Sequence, residues 1–177
     1  SLKGHDLLVK TIGQMLEASP GLPLKLLLVG FPDDHTRRGF LGGLSAAECA
    51  AVGPDRTISI VSDLKPYYLA SDAFVMNTQN PGETFGRVTI EAMAFRLPIL
   101  GTRIGGTREI VSEGVTGLLH SAGNEGQTQL AENIRGLMNN RRKARALGEA
   151  GFKRVRVHFG EDRFYQELAE ILKGVSD

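Results

Sequence analysis

The chain has 177 residues, 41% hydrophobic and 23% charged, with a formal net charge of +1. This length suits one compact domain with a substantial core, and the near-neutral charge gives no overall attraction to nucleic acid. The single cysteine, Cys49, excludes an internal disulfide and favours a reducing compartment, so we expect the cytoplasm or the cytoplasmic face of a membrane. No apolar run approaches the ~20 residues that span a bilayer.

Short apolar runs alternate with segments of helical periodicity along the chain. The predicted strands are residues 24–29, 57–61, 73–76, 97–100 and 116–119. The predicted helices are residues 4–18, 45–52, 66–70, 84–95, 107–111, 128–138, 141–157 and 162–172. Between residues 31 and 44 only turn chemistry is evident, with Pro32-Asp33-Asp34 at the start and Gly42-Gly43 near the end.

Strands that alternate with helices indicate βαβ units, and thus a Rossmann-like parallel sheet flanked by helices. We find no internal repeat, low-complexity tract or linker, so residues 1–177 are predicted to form a single domain. A strand would ordinarily precede the first helix of such a domain, but the sequence enters a helical pattern almost at once. We therefore expect a first strand upstream of Ser1.

Residues 80–94 are the best candidate for a ligand site. They follow a predicted strand and open a helix, and parallel sheets bind ligands beyond the carboxyl ends of their strands. Free amides at the helix start favour an anion such as phosphate. Gly82 and Gly86 leave room for a close approach of the backbone to such a ligand.

Two glutamates in this segment are candidate binding residues. Glu91 lies among apolar helix neighbours, and a desolvated carboxylate requires hydrogen-bond donors. Those donors are either Arg87, four residues earlier on the same face, or the vicinal hydroxyls of a ribose. Glu83 is either a solvated acid near a positive helix end or a carboxylate facing a sugar, surrounded by the amides of Thr84, Phe85 and Gly86.

The same segment resembles the paired-glutamate signature of glycosyltransferase family 4, whose members have the GT-B fold. Glu83 and Glu91 are separated by seven residues and lie within Gly-Glu-Thr-Phe-Gly and Glu-Ala-Met-Ala. The similarity covers essentially the whole chain, and this version of the motif looks most like that of plant-type members. Further matching stretches are Lys3-Gly4 and residues 67–73, 98–102, 105–111, 116–119, 131–138 and 141–148.

The resemblance implies a retaining transferase that takes a sugar from a UDP- or GDP-linked donor to an unknown acceptor, without a metal or other cofactor. It implies that Glu91 binds the donor ribose and that Glu83 lies beside the transferred sugar. Lys3 would contact the diphosphate and stabilise the leaving group. The remaining residues of the implied donor site are Thr84, Phe85, Gly86, Gly30, Ser62 and Asp63, the last two in the loop facing the base.

In this family the acceptor site belongs to an N-terminal domain, which we expect to lie upstream and to be a partner of this chain. The family arginine that precedes the lysine would also lie upstream of Ser1. Arg96 replaces a glycine that is usual in the family, and Asn77-Thr78 replaces the common Pro-Ser. The fragment alone is predicted to bind nucleotide weakly and to have little activity.

Other site types find no support in the sequence. The four histidines are scattered, so no metal site is predicted, and no nucleophile–base arrangement or Walker motif is evident. The basic residues between 141 and 156 form either a solvated helix face or a contact with an acidic partner or an anionic membrane. The alternative functions are a catalytically silent nucleotide-binding or scaffolding module, and a glycan phosphorylase or nucleotide-sugar epimerase of the same architecture.

Overall fold

In a computed structural model of the protein, residues 4–53, 56–79 and 86–160 are described. Strands and helices alternate along the chain. The strands are β1 (Leu28–Phe31), β2 (Thr57–Ser59), β3 (Phe74–Met76), β4 (Ile99–Thr102) and β5 (Gly117–His120). The helices are α1 (His5–Ala18), α2 (Asp34–Gly42), α3 (Ala46–Val52), α4 (Lys65–Leu69), α5 (Arg87–Ala94), α6 (Thr107–Ile110), α7 (Gly123–Asn139) and α8 (Arg141–His158).

All strand pairs among the described residues are parallel, in two hydrogen-bonded groups. One group is β1–β2, whose register shifts at Gly30, between Val29 and Phe31. The other is β3–β4–β5, in which Leu100 of β4 pairs with Val75 on one side and Leu118 on the other. Parallel strands in one group end at the same edge, so the segments that follow β3, β4 and β5 start side by side.

The core lies on both faces of the β3–β4–β5 sheet, because side chains alternate along a strand. Leu100 and Leu118 belong to an apolar cluster with the buried residues of α1, α3 and α7. Their strand neighbours Ile99 and Leu119 belong to a second cluster with residues of α4, α5 and α6. Helices therefore flank the sheet on both faces, which confirms the predicted Rossmann-like architecture.

Close packing of α8 on this second face requires a glycine. A Cβ atom at Gly148 would collide with the carbonyl oxygen of Arg96, in the turn between α5 and β4. Arg96 itself has a left-handed backbone with φ 58°. Its guanidinium lies 3.9 Å from the centre of the Phe152 ring and pairs with Glu149 at 3.0 Å, so side chains of α8 hold the turn.

The structure differs from the sequence predictions chiefly between residues 31 and 44. A helix, α2, follows Asp33, whose side chain caps it by accepting a hydrogen bond from the Thr36 backbone amide at 2.6 Å. The expected turn chemistry is therefore a helix N-cap. The predicted helix over residues 162–172 lies outside the described residues. No helix in the described part of the chain is long and apolar enough to cross a bilayer.

Candidate functional site

Glu91 lies in the middle of α5, the helix that follows β3, and its carboxylate is partly exposed. Its side chain is 35% accessible to solvent. One oxygen, Oε2, accepts a hydrogen bond from the Tyr68 hydroxyl at 3.1 Å. The other, Oε1, lies 3.4 Å from Nε of Arg87. Of the two donors considered from the sequence, Arg87 is in contact with Glu91, and Tyr68 is a further donor that the sequence did not indicate.

The Arg87 contact does not account for the carboxylate by itself. The Arg87 side chain is 85% exposed, and ion pairs in such a setting contribute little because water screens them. A carboxylate offers about four acceptor positions, and the two contacts leave about half of them unused. Because the side chain is 35% exposed, Glu91 can accept further hydrogen bonds from a ligand.

Tyr68 is the residue that anchors Glu91 to a neighbouring helix. It lies on α4, is buried, and stacks on Phe95 with ring centres 5.2 Å apart. Burial, reinforced by the charge of Glu91, raises the pKa of the Tyr68 hydroxyl above its usual range. The hydroxyl therefore keeps its proton and remains a hydrogen-bond donor to Glu91.

Gly86 begins α5 and adopts a left-handed conformation, with φ 59° and ψ 43°. It is buried, and a Cβ atom placed there would touch the Ile110 side chain of α6 at 3.4 Å. Glycine is therefore favoured at this position by its conformation more than by a lack of space. The α5 start is thereby seated against α6, near the edge where β3 and β4 end.

The other described site candidates lie after the first two strands. Ser62 and Asp63 are exposed in the loop after β2, where the Asp63 carboxylate accepts a hydrogen bond from the Lys65 amide at 2.9 Å. This loop leads directly into α4, so the fold connects it to Glu91 through Tyr68. Gly30 lies within β1, with φ 106°, at the point where the pairing register shifts.

A cleft of about 390 Å³ lies beside the loop after β4, where Gly105, Arg108 and Glu109 line it. Arg154 of α8 supports this region by donating hydrogen bonds to the carbonyl oxygens of Glu109 and Ile110, at 2.9 Å and 2.8 Å. The cleft provides a cation and an acid next to the carboxyl edge of the sheet. The sequence prediction did not include these residues in the site.

Four predicted site residues, Lys3, Glu83, Thr84 and Phe85, lie outside the described residues, so their roles stay predictions. Within residues 4–53, 56–79 and 86–160, no three His, Cys, Asp or Glu side chains are grouped as metal ligands would be. Sequence reasoning missed Tyr68 as a partner of Glu91. It also missed the buried pair Asn77 and His120, which lie at the ends of β3 and β5. Polar residues directly at strand ends were the available signal.

Comparison with known proteins gives a family match over most of the chain. The profile of the family described as "Glycosyl transferases group 1" matches residues 1–154. The D-inositol 3-phosphate glycosyltransferase of Corynebacterium urealyticum is 31% identical over 128 residues, which cover 67% of this chain and 28% of that enzyme. The chain spans less than half of the length of the curated relatives it matches.

Solved structures resemble the chain in fold. Anabaena Alr3699/HepE, crystallised in complex with UDP, is 23% identical with a TM-score of 0.79, and the match covers 98% of this chain and 46% of that one. The C-terminal domain of the Francisella tularensis group 1 protein LpcC is 20% identical with a TM-score of 0.67. That match covers 90% of this chain and 81% of the LpcC domain. The similarity therefore includes an isolated C-terminal domain.

Proposed function

Because the chain belongs to the glycosyl transferases group 1 family, we propose that it is the donor-binding domain of a retaining glycosyltransferase of family 4. It holds a UDP- or GDP-linked sugar at the carboxyl edge of the sheet for transfer to an acceptor bound by an N-terminal domain. The structural neighbour HepE was crystallised with UDP and with UDP-glucose, which supports a nucleotide-sugar donor.

The observation that carries this proposal is the partly exposed and only partly hydrogen-bonded carboxylate of Glu91. Its carboxylate is fixed by the Tyr68 hydroxyl, is 35% exposed, and has unused acceptor positions. Two adjacent ribose hydroxyls can donate to one such carboxylate. The loop after β2, with Ser62 and Asp63, leads into α4, the helix of Tyr68, and is proposed to face the base. Gly30 of β1 is only partly buried and leaves backbone accessible to the donor, whereas Gly86 is buried and is proposed to contribute through the turn that begins α5.

The residues proposed to contact the diphosphate and the transferred sugar are Lys3 and the segment from Glu83 to Gly86. Lys3 is proposed to neutralise the charge that builds on the diphosphate, in place of a metal ion. Glu83, with the amides of Thr84, Phe85 and Gly86, is proposed to hold the transferred sugar. Addition of EDTA to the full-length protein should leave turnover unchanged if no metal takes part.

Calorimetric titration with UDP and with GDP tests the proposal. Hydrogen bonds to a charged group contribute about 1.5–3 kcal/mol, so Glu91→Ala should weaken binding of the preferred nucleotide by about 10-fold or more. Arg87→Ala is the matched control on the same helix face, and it should change the affinity by less than about threefold, because its ion pair is exposed. Equal affinity of the Glu91→Ala variant and the wild type would remove Glu91 from the ribose site.

The silent-module alternative was supported by Arg96 in the position of a glycine. Arg96 keeps the left-handed conformation, φ 58°, that a glycine favours, so the turn has the backbone geometry that the family residue would give it. Turnover of nucleotide-sugar donors by the full-length protein separates the functions. A requirement for phosphate, or product formed without any acceptor, would indicate a phosphorylase or an epimerase.

A further inference from the structure

A buried polar network joins three segments at the carboxyl edge of the β3–β4–β5 sheet. The side-chain amide of Asn77 donates a hydrogen bond to the carbonyl oxygen of Gly4 at 2.8 Å. Its Oδ1 lies 2.9 Å from Nε2 of His120. Asn77 is 6% exposed and His120 1% exposed, so both hydrogen bonds lie inside the protein. The residues involved are separated by 73 and 43 positions in the chain.

The chemistry of the amide group fixes where the histidine carries its proton. The NH2 group of Asn77 faces a carbonyl oxygen, which only accepts, so Oδ1 faces His120. His120 must then donate through Nε2, and its Nδ1 is unprotonated. Nδ1 has no hydrogen-bond partner among the described residues. Burial also lowers the pKa of His120 to about 4, so the ring stays neutral and the direction of its hydrogen bond is constant near pH 7.

The network determines the position of the first residue of the α1 segment. Gly4 has φ 64°, and a Cβ atom there would collide with the backbone carbonyl oxygen of Asn77. The Gly4 carbonyl accepts hydrogen bonds both from the Leu8 amide at 3.0 Å, which closes the first turn of α1, and from Asn77. Helix α1 therefore starts in direct contact with the residue that follows β3.

Gln79 extends the same network towards α7. Its side-chain nitrogen donates to the Asn77 carbonyl oxygen at 3.0 Å, and its Oε1 accepts from the Gly123 amide at 2.7 Å. Gly123 is the first residue of α7. The start of α1, the segment after β3 and the start of α7 are thus connected by side-chain hydrogen bonds.

We propose that Asn77 and His120 are positioning residues for the donor diphosphate, acting through the backbone of Gly4 on the adjacent Lys3. Consecutive Cα atoms are about 3.8 Å apart, so a Gly4 fixed by Asn77 limits the positions open to the residue before it. This inference rests on the proposed function, because it takes from it the contact between Lys3 and the diphosphate. Neither residue touches the donor in this proposal.

The test is a comparison of affinities for UDP and UMP, measured by calorimetry on the full-length protein, or for GDP and GMP if guanine is preferred. The second phosphate is the only difference within each pair of ligands. The affinity for the diphosphate divided by the affinity for the monophosphate therefore reports the diphosphate contact. Lys3→Ala should lower this ratio by about 10-fold or more, and Asn77→Ala and His120→Leu by about 3- to 10-fold. In the Lys3→Ala background the latter two changes should have no further effect, since residues that act through one group are not additive.

Two further variants separate positioning from general loss of stability. His120→Gln retains a donor near the place of Nε2, and should keep the ratio within about twofold of the wild type. Thr11→Val removes a partly buried hydrogen bond within α1, from Thr11 Oγ1 to the Leu7 carbonyl oxygen at 2.8 Å. It should lower the melting temperature and leave the ratio unchanged.

The inference is overturned if Asn77→Ala and His120→Leu leave the ratio as it is, or if they lower it equally with and without Lys3. A ratio lowered by Thr11→Val as well would also overturn it. If Asn77→Ala does not fold, the contrast between His120→Leu and His120→Gln decides the question. A protein that binds neither nucleotide, or binds equally after Glu91→Ala, contradicts the proposed function instead.

Discussion

Two polar groups of residues near the sheet edge differ in how their hydrogen-bonding capacity is used. The open cluster consists of Glu91, Tyr68 and Arg87, and its carboxylate is partly exposed and has acceptor positions beyond those used by the two partners. The closed cluster consists of Asn77, His120 and the Gly4 backbone, and its two side chains are at most 6% exposed. The first contains a formal negative charge, whereas the second is neutral throughout.

This difference follows from the cost of removing polar groups from water. A buried amide and a neutral imidazole are tolerated when they hydrogen-bond to each other and to the backbone. A carboxylate is far more expensive to bury, so Glu91 stays partly exposed while it accepts a hydrogen bond from the Tyr68 hydroxyl. The open cluster is therefore suited to binding a ligand, and the closed cluster to holding the chain that surrounds it.

The largest predicted effect concerns the closed cluster and pH. Burial lowers the pKa of His120 from the usual 6.5 to about 4. As the pH falls below 6.5 the unfolded chain takes up a proton that the folded protein does not bind. The free energy of unfolding should therefore fall between pH 6.5 and 4, by about 3 kcal/mol in total, and should be constant above pH 7 as far as this group is concerned. Urea unfolding at a series of pH values measures this decrease.

The matched control for the pH series is His120→Gln, which cannot titrate. The comparison is made above about pH 5.5, where the free energy of unfolding of the variant should fall much less than that of the wild type. At lower pH, carboxylates such as Asp33 and Glu48, whose pKa values folding lowers, add a loss of stability of their own as the unfolded chain protonates them. If the wild type and the variant show the same slope, His120 is accessible to protons in the folded state. The contrast between a closed and an open cluster would then be lost.

A smaller effect is predicted for the open cluster when its anchor is removed. Tyr68→Phe deletes the hydroxyl that donates to Glu91 at 3.1 Å. The carboxylate then loses its fixed orientation, and we expect the affinity for UDP or GDP to fall by about 3- to 10-fold, with about 1 kcal/mol lost from the free energy of unfolding. Calorimetric titration and urea unfolding measure the two quantities.

Tyr67→Phe serves as the control, because it removes the neighbouring hydroxyl of the same helix and should leave nucleotide affinity unchanged. An unchanged affinity of Tyr68→Phe would mean that the hydroxyl does not orient Glu91 for the ligand, and a higher affinity would mean that it competes with the ribose for Glu91. In that case the open cluster would be satisfied by the protein itself, as the closed cluster is.

The fold and the two clusters were predictable from the sequence to different extents. The alternation of short apolar runs with helical periodicity predicted the parallel sheet, because buried strands and amphipathic helices leave strong periodic signals. Helix α2 was missed because none of its residues is buried, so its apolar signal is weak. It depends on the cap provided by Asp33, which also fits a turn.

Within the site, contacts at short sequence separation were predicted and those between distant segments were not. The pairing of Arg87 with Glu91 follows from helical spacing. The Tyr68–Glu91 hydrogen bond joins residues 23 positions apart, and Asn77–His120 joins residues 43 positions apart at the ends of two strands that both flank β4. Such contacts depend on strand order and register, and the spacing of residues along the chain gives no information on either.

The smallest predicted effect concerns Arg96, at the end of α5 opposite the start formed by Gly86. Arg96→Gly relieves a left-handed backbone, worth about 1 kcal/mol, but it loses the stacking on Phe152 at 3.9 Å and the ion pair with Glu149. These contributions nearly cancel, so the free energy of unfolding should change by less than about 1 kcal/mol. Arg96→Ala loses the same contacts and keeps the strain, so it should be the less stable of the two in urea unfolding.

Because Tyr68 rather than this turn orients Glu91, both variants should bind UDP or GDP like the wild type. Turnover that rises many-fold in Arg96→Gly would instead show that arginine at this position suppresses catalysis, as the silent-module alternative requires.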